Sequence, residues 1–457
     1  MLRGSLKRVY KNLCIYKDSQ NKFSKFVIPL LIIRYVTLNV SSATTSNTLL
    51  FSIDQYLNTS ENSSDQNLYY DLNQNFKLQG GQSAKVEINL NWSQNENYLY
   101  THVSNLFYEF EGSKFSLGFK KIEWSKTLDF FQSSEWQQQL ERNKLRPKTG
   151  GNLGIFYNFD VRNLKVDIMY SPYFIPTRGP DVDFKNGAAV SQNPWFLKPP
   201  QDVPFKGDTF STNYKLEDPN LADLLAEQTL AFKVNALEGK NWTLNLAYAN
   251  KPSPKLVTDL DFTANIADPD VPIDVIIKSR AVRHELMSGD LSYLISQRTK
   301  ATFGYLNENF ASQSLNSKSE TYMQPLDQNN FTFLISHTNE KYRLSVGGIY
   351  RNGGRSKSLG ELASALVNQN INYIYEQAVK LDFTYFKAFS WTLNTSFSYD
   401  FLQKGFLTSA TLQRQFSKSV INIGFDAIEP LDTSDQSSFV YQYRNLDRIW
   451  AGLSYVF

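Results

Sequence analysis

The stretch "HVSN", residues 102–105, places a base two positions from a hydroxyl. Side chains two apart in a strand share a face, so His102 and Ser104 would point the same way. A histidine that reaches a serine can take its proton and make it a nucleophile for acyl transfer. Four letters are a short signal, and no third member to orient His102 is evident. The other histidines, His284 and His337, are scattered and form no metal cluster. "GGIYRNGG", 347–354, does not open a helix after a parallel strand, so no phosphate loop is implied. The remaining chemistry is charge: acids and bases placed on every second residue of apolar stretches.

Those stretches are strands. "KVEINLNW" sets Val86, Ile88, Leu90 and Trp92 against Lys85, Glu87, Asn89 and Asn91. "NLKVDIMY" sets Leu164, Val166, Ile168 and Tyr170 against Lys165 and Asp167. "FSWTLNTSFSYDF" and "NWTLNLAY" repeat the pattern, and "RIWAGLSYVF" closes the chain with it. Period two with unlike faces marks a strand between two media. Aromatics make up 14% of the 457 residues, and aromatics favour strands.

Eighteen such segments are expected, near 47–57, 67–78, 83–93, 98–111, 113–122, 151–160, 163–171, 225–237, 240–250, 279–296, 299–309, 329–338, 341–351, 371–386, 389–401, 405–416, 419–428 and 447–457. Tight turns follow the even-numbered segments, such as "QGGQ" 79–82, "EG" 111–112, "EGKN" 238–241 and "FKAFS" 386–390. Long loops follow most odd ones: 123–150, 172–224, 251–278, 310–328, 352–370 and 429–446. Every proline beyond Pro29 falls in a long loop, and proline is excluded from interior strands. The pattern predicts an all-β, up-and-down antiparallel barrel in an outer membrane, of eighteen strands or, next, sixteen. Aromatics at strand ends, such as Trp92, Tyr170, Trp242, Tyr350 and Trp391, fit an interfacial girdle.

The first 43 residues differ. A basic start precedes "FVIPLLII" and ends on Ser41-Ser42-Ala43, the order of an export signal, although the basic region is long and Arg34 follows the apolar run. The expected division is a signal peptide at 1–43 and a barrel at 44–457. Of 47 basic and 44 acidic residues, eight basic and one acidic lie in 1–43, so the remainder carries 39 and 43. The basic excess therefore belongs to the signal, and nucleic acid loses its electrostatic support as a partner. Cys14, the one cysteine, lies there too, so the mature chain would have no disulfide or cysteine-zinc site.

An export signal, no mature cysteine, paired strands and a final strand ending Leu453, Tyr455, Phe457 resemble the outer-membrane β-barrel proteins of double-membraned bacteria, and eighteen strands is the size of substrate-specific porins. The resemblance implies that Tyr455 and Phe457 form the tag read by the barrel-assembly machinery. It implies outer-membrane lipid as surroundings, small hydrophilic solutes as cargo and, by analogy, a homotrimer. It also implies that 123–150 is the constriction loop, with Asp129, Glu135, Arg142, Lys144 and Arg146 as candidates; 172–224, with a short helix expected at 218–228, is the other candidate plug. "HVSN" resembles the start of the outer-membrane phospholipase A motif, but Leu106 stands where that motif has glycine, and the parity of Leu106, Tyr108 and Phe110 would turn His102 and Ser104 toward lipid.

The expected lumen face carries Lys85, Glu87, Lys165, Asp167, Lys233, Arg343, Arg351, Glu376, Lys380, Asp382 and Asp400. Such charges are costly toward lipid and tolerated around water. No covalent mechanism and no cofactor or metal is expected. The function expected is passive or weakly selective passage of small solutes; the alternatives are a structural or adhesive barrel acting through its loops, and a phospholipase.

Overall fold

The computed structural model describes residues 40–57, 64–78, 82–110, 114–133, 135–205, 208–217, 225–236, 241–263, 272–310, 325–354, 373–388 and 390–457. Eighteen strands form one antiparallel sheet that closes on itself. They are β1 (Val40–Tyr56), β2 (Ser64–Leu78), β3 (Ser83–Ser93), β4 (Tyr98–Glu109), β5 (Phe115–Lys120), β6 (Asn152–Val161), β7 (Leu164–Ser171), β8 (Thr229–Ala236), β9 (Trp242–Pro252), β10 (Arg283–Ser296), β11 (Thr299–Phe310), β12 (Gln328–Thr338), β13 (Tyr342–Gly353), β14 (Gln377–Ala388), β15 (Trp391–Asp400), β16 (Gly405–Phe416), β17 (Ser419–Pro430) and β18 (Arg448–Val456).

The seam joins β18 to β1 in register from Thr48↔Val456 to Tyr56↔Arg448. Closure pairs every strand on both sides, which is what a sheet in hydrocarbon needs. The outer face is apolar and bare: Leu49, Phe51 and Ile53 on β1, Ile421, Ile423 and Phe425 on β17, Ile449 and Leu453 on β18. The inner face of the same strands buries Ser52, Asp54, Asn422, Asp426, Arg448 and Ser454. Trp450, the parity exception of the last strand, faces Gly424 on β17, where an added Cβ would meet its ring at 2.5 Å. Among the described residues no helix is long and apolar enough to cross a membrane.

Four expectations change. The first strand, expected near 47–57, begins at Val40; residues 1–39 of the segment read as the export signal lie outside the described residues. The tenth segment, expected over 279–296, is β10 from Arg283; Ile273–Arg280 is a separate strand that pairs in parallel with Thr212–Glu217 and antiparallel with Val257–Thr263. Alternation identifies a strand but not its partner, so two strands of different sheets read as one. The long loops 172–224 and 251–278 are thus not plain connections. They supply a four-stranded sheet around Phe210, Tyr214, Ile273 and Val275, all buried. Among the described residues two short helices also appear, α1 (Lys126–Phe130) and α2 (Phe439–Gln442). Residues 218–224 of the helix expected at 218–228 lie outside the described residues, as do parts of the turns at 79–82, 111–112, 238–241 and 386–390.

The fourth change concerns "HVSN". Glu87 pairs with Asn105 but Ile88 pairs with Val103, so a bulge at Ser104 inserts one residue into β4. A bulge shifts parity by one. Before it, Tyr100 and His102 turn inward and are buried; after it, Leu106 and Phe110 turn outward. His102 therefore faces the lumen rather than lipid. Ser104 Oγ donates to the Thr149 carbonyl at 3.3 Å, so its hydrogen bond goes to backbone and not to an activating base.

Candidate solute pathway

Residues 121–151 leave β5 and enter the lumen. The wall is shaped to receive them. Ser125 is the N-cap of α1, with extended backbone, and its hydroxyl accepts from the Leu128 N–H at 3.3 Å. Asp290 on β10 completes the cap. It accepts the Lys126 N–H at 2.7 Å, the Ser125 hydroxyl at 2.9 Å and the Thr127 hydroxyl at 3.1 Å. A carboxylate satisfies otherwise orphaned N–H groups at a helix start. Thr332 on β12 donates to Thr127 at 2.7 Å. Gly304 on β11 clears the space: a Cβ there would lie 2.1 Å from the Thr127 hydroxyl. Gly347 on β13 does the same for the Phe130 ring. At the other end of α1, Lys380 on β14 donates to the Phe130 carbonyl at 2.8 Å, a cation at a helix C-terminus.

An apolar floor supports the same segment. Trp124 stacks on Trp136 with centroids 4.8 Å apart. With Leu128 they pack on Ala231, Ala247, Ala249, Leu286 and Leu306, all inward and buried. Three alanines in a row of lumen positions leave the depth that two indoles fill.

Beyond α1 the loop is pinned at Glu135. Arg351 on β13 reaches Glu135 at 2.8 Å, the Ser133 hydroxyl at 3.1 Å and Gln328 at 2.5 Å, and stacks 3.7 Å over the Tyr373 ring. Burial opposes the charge on Glu135, but the attraction of Arg351 and its hydrogen bond prevail and hold the carboxyl below its ordinary range. Lys251 on β9 donates to the carbonyls of Glu135 and Trp136 at 2.9 and 2.8 Å. The returning half crosses to the opposite wall. Arg142 reaches Asp65 at 2.5 Å and Glu96 at 2.6 Å; Arg146 reaches Asp426 at 2.7 Å and lies 5.0 Å over Trp450. Lys148 lies 3.9 Å from Asp71. Lys144 sits 5.0 Å from the Tyr443 ring, and burial pushes its ammonium below the ordinary lysine value.

The loop 172–224 contributes as well. Trp195 is buried against Tyr443, and Asn193 donates to Glu96 at 3.1 Å. Both candidate plugs therefore meet at the mouth. A cavity of about 460 Å³, open solvent included, lies beside the inward loop, edged by Phe131, Glu135, Lys144, Lys255, Arg351 and Phe439.

The expected lumen residues divide into two groups. Arg351, Lys380 and Lys233 hold the loop, Lys233 by donating to the Glu123 carbonyl. Asp400 is buried; it accepts the N–H groups of Glu376, Leu402 and Gln403, so it fastens a turn. The Glu376 carbonyl in turn accepts the Arg351 N–H at 2.8 Å. The others lie on the lumen wall below the loop. Lys85 pairs with Glu87 at 3.1 Å; Asp167 and Lys233 are opposite across β7 and β8; Lys165 is opposite Asp160 across β6 and β7. Asp382 lies 3.2 Å from Lys380, and Arg343 stacks on Phe386. Asp129 keeps one side open to lumen water and is otherwise surrounded by protein. Burial and then the nearby charge of Glu123 push its carboxyl up to about 6. Sequence reasoning missed Asp65, Glu96, Gly304 and Gly347, because each acts through a distant partner. Tyr455 and Phe457 lie at the seam's end on the outer face, and the Phe457 N–H donates to the Asn47 carbonyl at 3.0 Å.

A closed eighteen-stranded antiparallel barrel of this kind is the fold of outer-membrane porins. No protein-family model and no curated protein matches the chain. Among solved structures it is similar to OccK2 (OpdF) of Pseudomonas aeruginosa, at 10% identity over 92% of this chain and 98% of that one, with a TM-score of 0.51. A second structure of that protein, in complex with glucuronate, aligns at 10% identity over 92% and 98%, with a TM-score of 0.49. OccAB3 of Acinetobacter baumannii aligns at 11% identity over 92% and 100%, with a TM-score of 0.48. At these identities the likeness concerns the fold.

Proposed function

We propose that this chain is a passive outer-membrane channel through which small hydrophilic solutes diffuse, past a constriction made by residues 121–151. The observation that carries the reading is the way that loop is held. Arg351 and Lys380 grip it from one wall, while its own Arg142 and Arg146 grip Asp65 and Asp426 on the other. A barrel of this size is too wide for wall side chains to fill, and a loop fixed at both sides narrows it. The lumen charges Lys85, Glu87, Asp167, Arg343, Asp382 and Asp129 are of both signs, which supports sorting by size and local field rather than by one sign of charge. The mechanism involves no covalent step.

The proposal includes the surroundings. The bare apolar face would meet outer-membrane lipid, the assembly machinery would read Tyr455 and Phe457, and three copies would associate as in porins. Deleting Phe457 should impair membrane insertion. The channel itself is tested in planar bilayers with purified, folded protein. Discrete openings are expected, and deleting 123–150 should enlarge them. A folded protein that never opens would sink the reading. It would favour instead a barrel acting through its exterior, for which the four-stranded sheet with its own apolar core is the supporting feature.

A further inference from the structure

We infer that the inward loop is also the strap that closes the barrel, with Arg142 and Arg146 as positioning residues for the β18–β1 seam. Asp54 on β1 and Asp65 on β2 are direct partners across the strand pair, and both are about 5% exposed. Like charges facing each other in a sheet repel. Asp426 on β17, 1% exposed, adds a third carboxylate next to the seam, and the buried Glu96 side chain after β3 adds a fourth.

The strands themselves supply one arginine to these four acids. Arg448 on β18 reaches Asp426 at 2.7 Å and Asp54 at 3.1 Å, and so bridges the seam. It does not extend to Asp65 or Glu96. Asn67 donates to Asp54 at 3.1 Å and Ser93 to Asp65 at 3.0 Å, but neither brings a charge. The missing cations come from the loop. Arg142 takes Asp65 and Glu96, and Arg146 takes the second oxygen of Asp426. The resulting row, Glu96–Arg142–Asp65 beside Asp54–Arg448–Asp426–Arg146, spans strands β17, β18, β1 and β2. Removing one partner of a buried pair strands its charge, and the cost is large. The acids that flank the closure are thus tolerated only with the loop in the lumen. Constriction and closure become one event: a barrel with its loop outside would carry an uncompensated acidic seam.

The test is hydrogen exchange by mass spectrometry on the full chain in detergent micelles, with single-channel conductance on the same samples. In Arg142→Gln/Arg146→Gln, amide exchange in β1 and β18 should rise about tenfold or more, and conductance should rise. Asp290→Ala, which frees α1 elsewhere, should raise exchange over 124–131 and leave the seam as it was. Adding Asp65→Asn and Asp426→Asn to the double variant removes the acids stranded on β2 and β17, while Glu96, in the turn after β3, keeps its hydrogen bonds from Tyr100 and Asn193. Seam exchange should then return to within about threefold of the parent while conductance stays high. Unchanged seam exchange in the double variant overturns the inference. So does failure of the quadruple variant to recover. If the double variant does not fold, the quadruple variant should; if it also fails, the inference falls. These outcomes are separate from the channel reading, since exchange at the seam is read whether or not current flows.

Discussion

Asp290 Oδ2 accepts the backbone N–H of Lys126 at 2.7 Å, joining a carboxylate of strand β10 to the first turn of a helix carried by a loop. The same carboxylate takes the hydroxyls of Ser125 and Thr127, so three donors of α1 converge on one wall residue. Alanine at 290 leaves them without that acceptor. Buried donors that lose a charged partner cost about 1–3 kcal/mol. Asp290→Ala is expected to let α1 leave the wall transiently, seen as faster amide exchange at 124–131 and as noisier open-channel current. Quiet current and unchanged exchange would mean that the apolar floor alone holds the helix.

Glu135 and Arg351 make the other anchor, at 2.8 Å and nearly dry. Arg351→Leu should destabilise the folded barrel by about 3–5 kcal/mol, because it leaves a buried carboxylate unpaired. Combining it with Glu135→Leu should recover most of that loss, since neither charge then remains. Midpoints of urea unfolding in micelles, followed by tryptophan fluorescence, would measure both. A double variant as unstable as the single one would show that the stabilisation comes from Ser133, Gln328 and Tyr373 around Arg351 rather than from the pair.

The wall was legible in the sequence and the resemblance pointed to the loop, but the wall residues that receive the loop were not legible, for a physical reason. Period two encodes which side of a strand meets which medium, so Ile421 and Ile423 outside, with Asn422 inside, follow from spacing alone. The number of strands came from the same signal. What spacing does not encode is a partner across the lumen. Asp290 and Gly304 read as one more inward charge and one more small residue; only the path of 121–151 reveals a cap and a clearance. Ser104 failed differently. One inserted residue reversed the face of His102, and nothing in the composition of "HVSN" announces a bulge.

Asp129 should give the proposed channel a pH dependence whose sign is fixed. Burial and the neighbouring Glu123 raise its pKa from 3.8 to about 6, so the folded loop favours the protonated form. Its contribution to stability is therefore greatest below the ordinary value and falls away as pH rises through about 6. The charge follows the same interval: neutral well below 6, negative well above. Cation preference, read as reversal potential in a salt gradient, should increase between about pH 5 and 7, roughly one unit either side of that midpoint. Asp129→Asn should flatten the increase. An unaltered slope in that variant would show that Asp129 is not the source of the effect.

Gly304 tests the direction in which α1 can move. A Cβ at this position would stand 2.1 Å from the Thr127 hydroxyl and 2.4 Å from that of Thr332, so alanine cannot be accommodated unless the helix shifts. The wall behind it is a closed, fully paired sheet, and the free direction is toward the lumen axis. Overpacking of this kind costs about 1–3 kcal/mol and displaces the softer partner. Gly304→Ala should therefore lower conductance, the opposite of loosening the loop. Thr127→Ala in the same chain removes the nearest of the three clashing oxygens, the third being that of Asp290, and should restore part of the current. If Gly304→Ala instead raised conductance, the helix would be yielding along the wall, and the narrowest point of the passage would lie at the Arg142–Arg146 half of the loop.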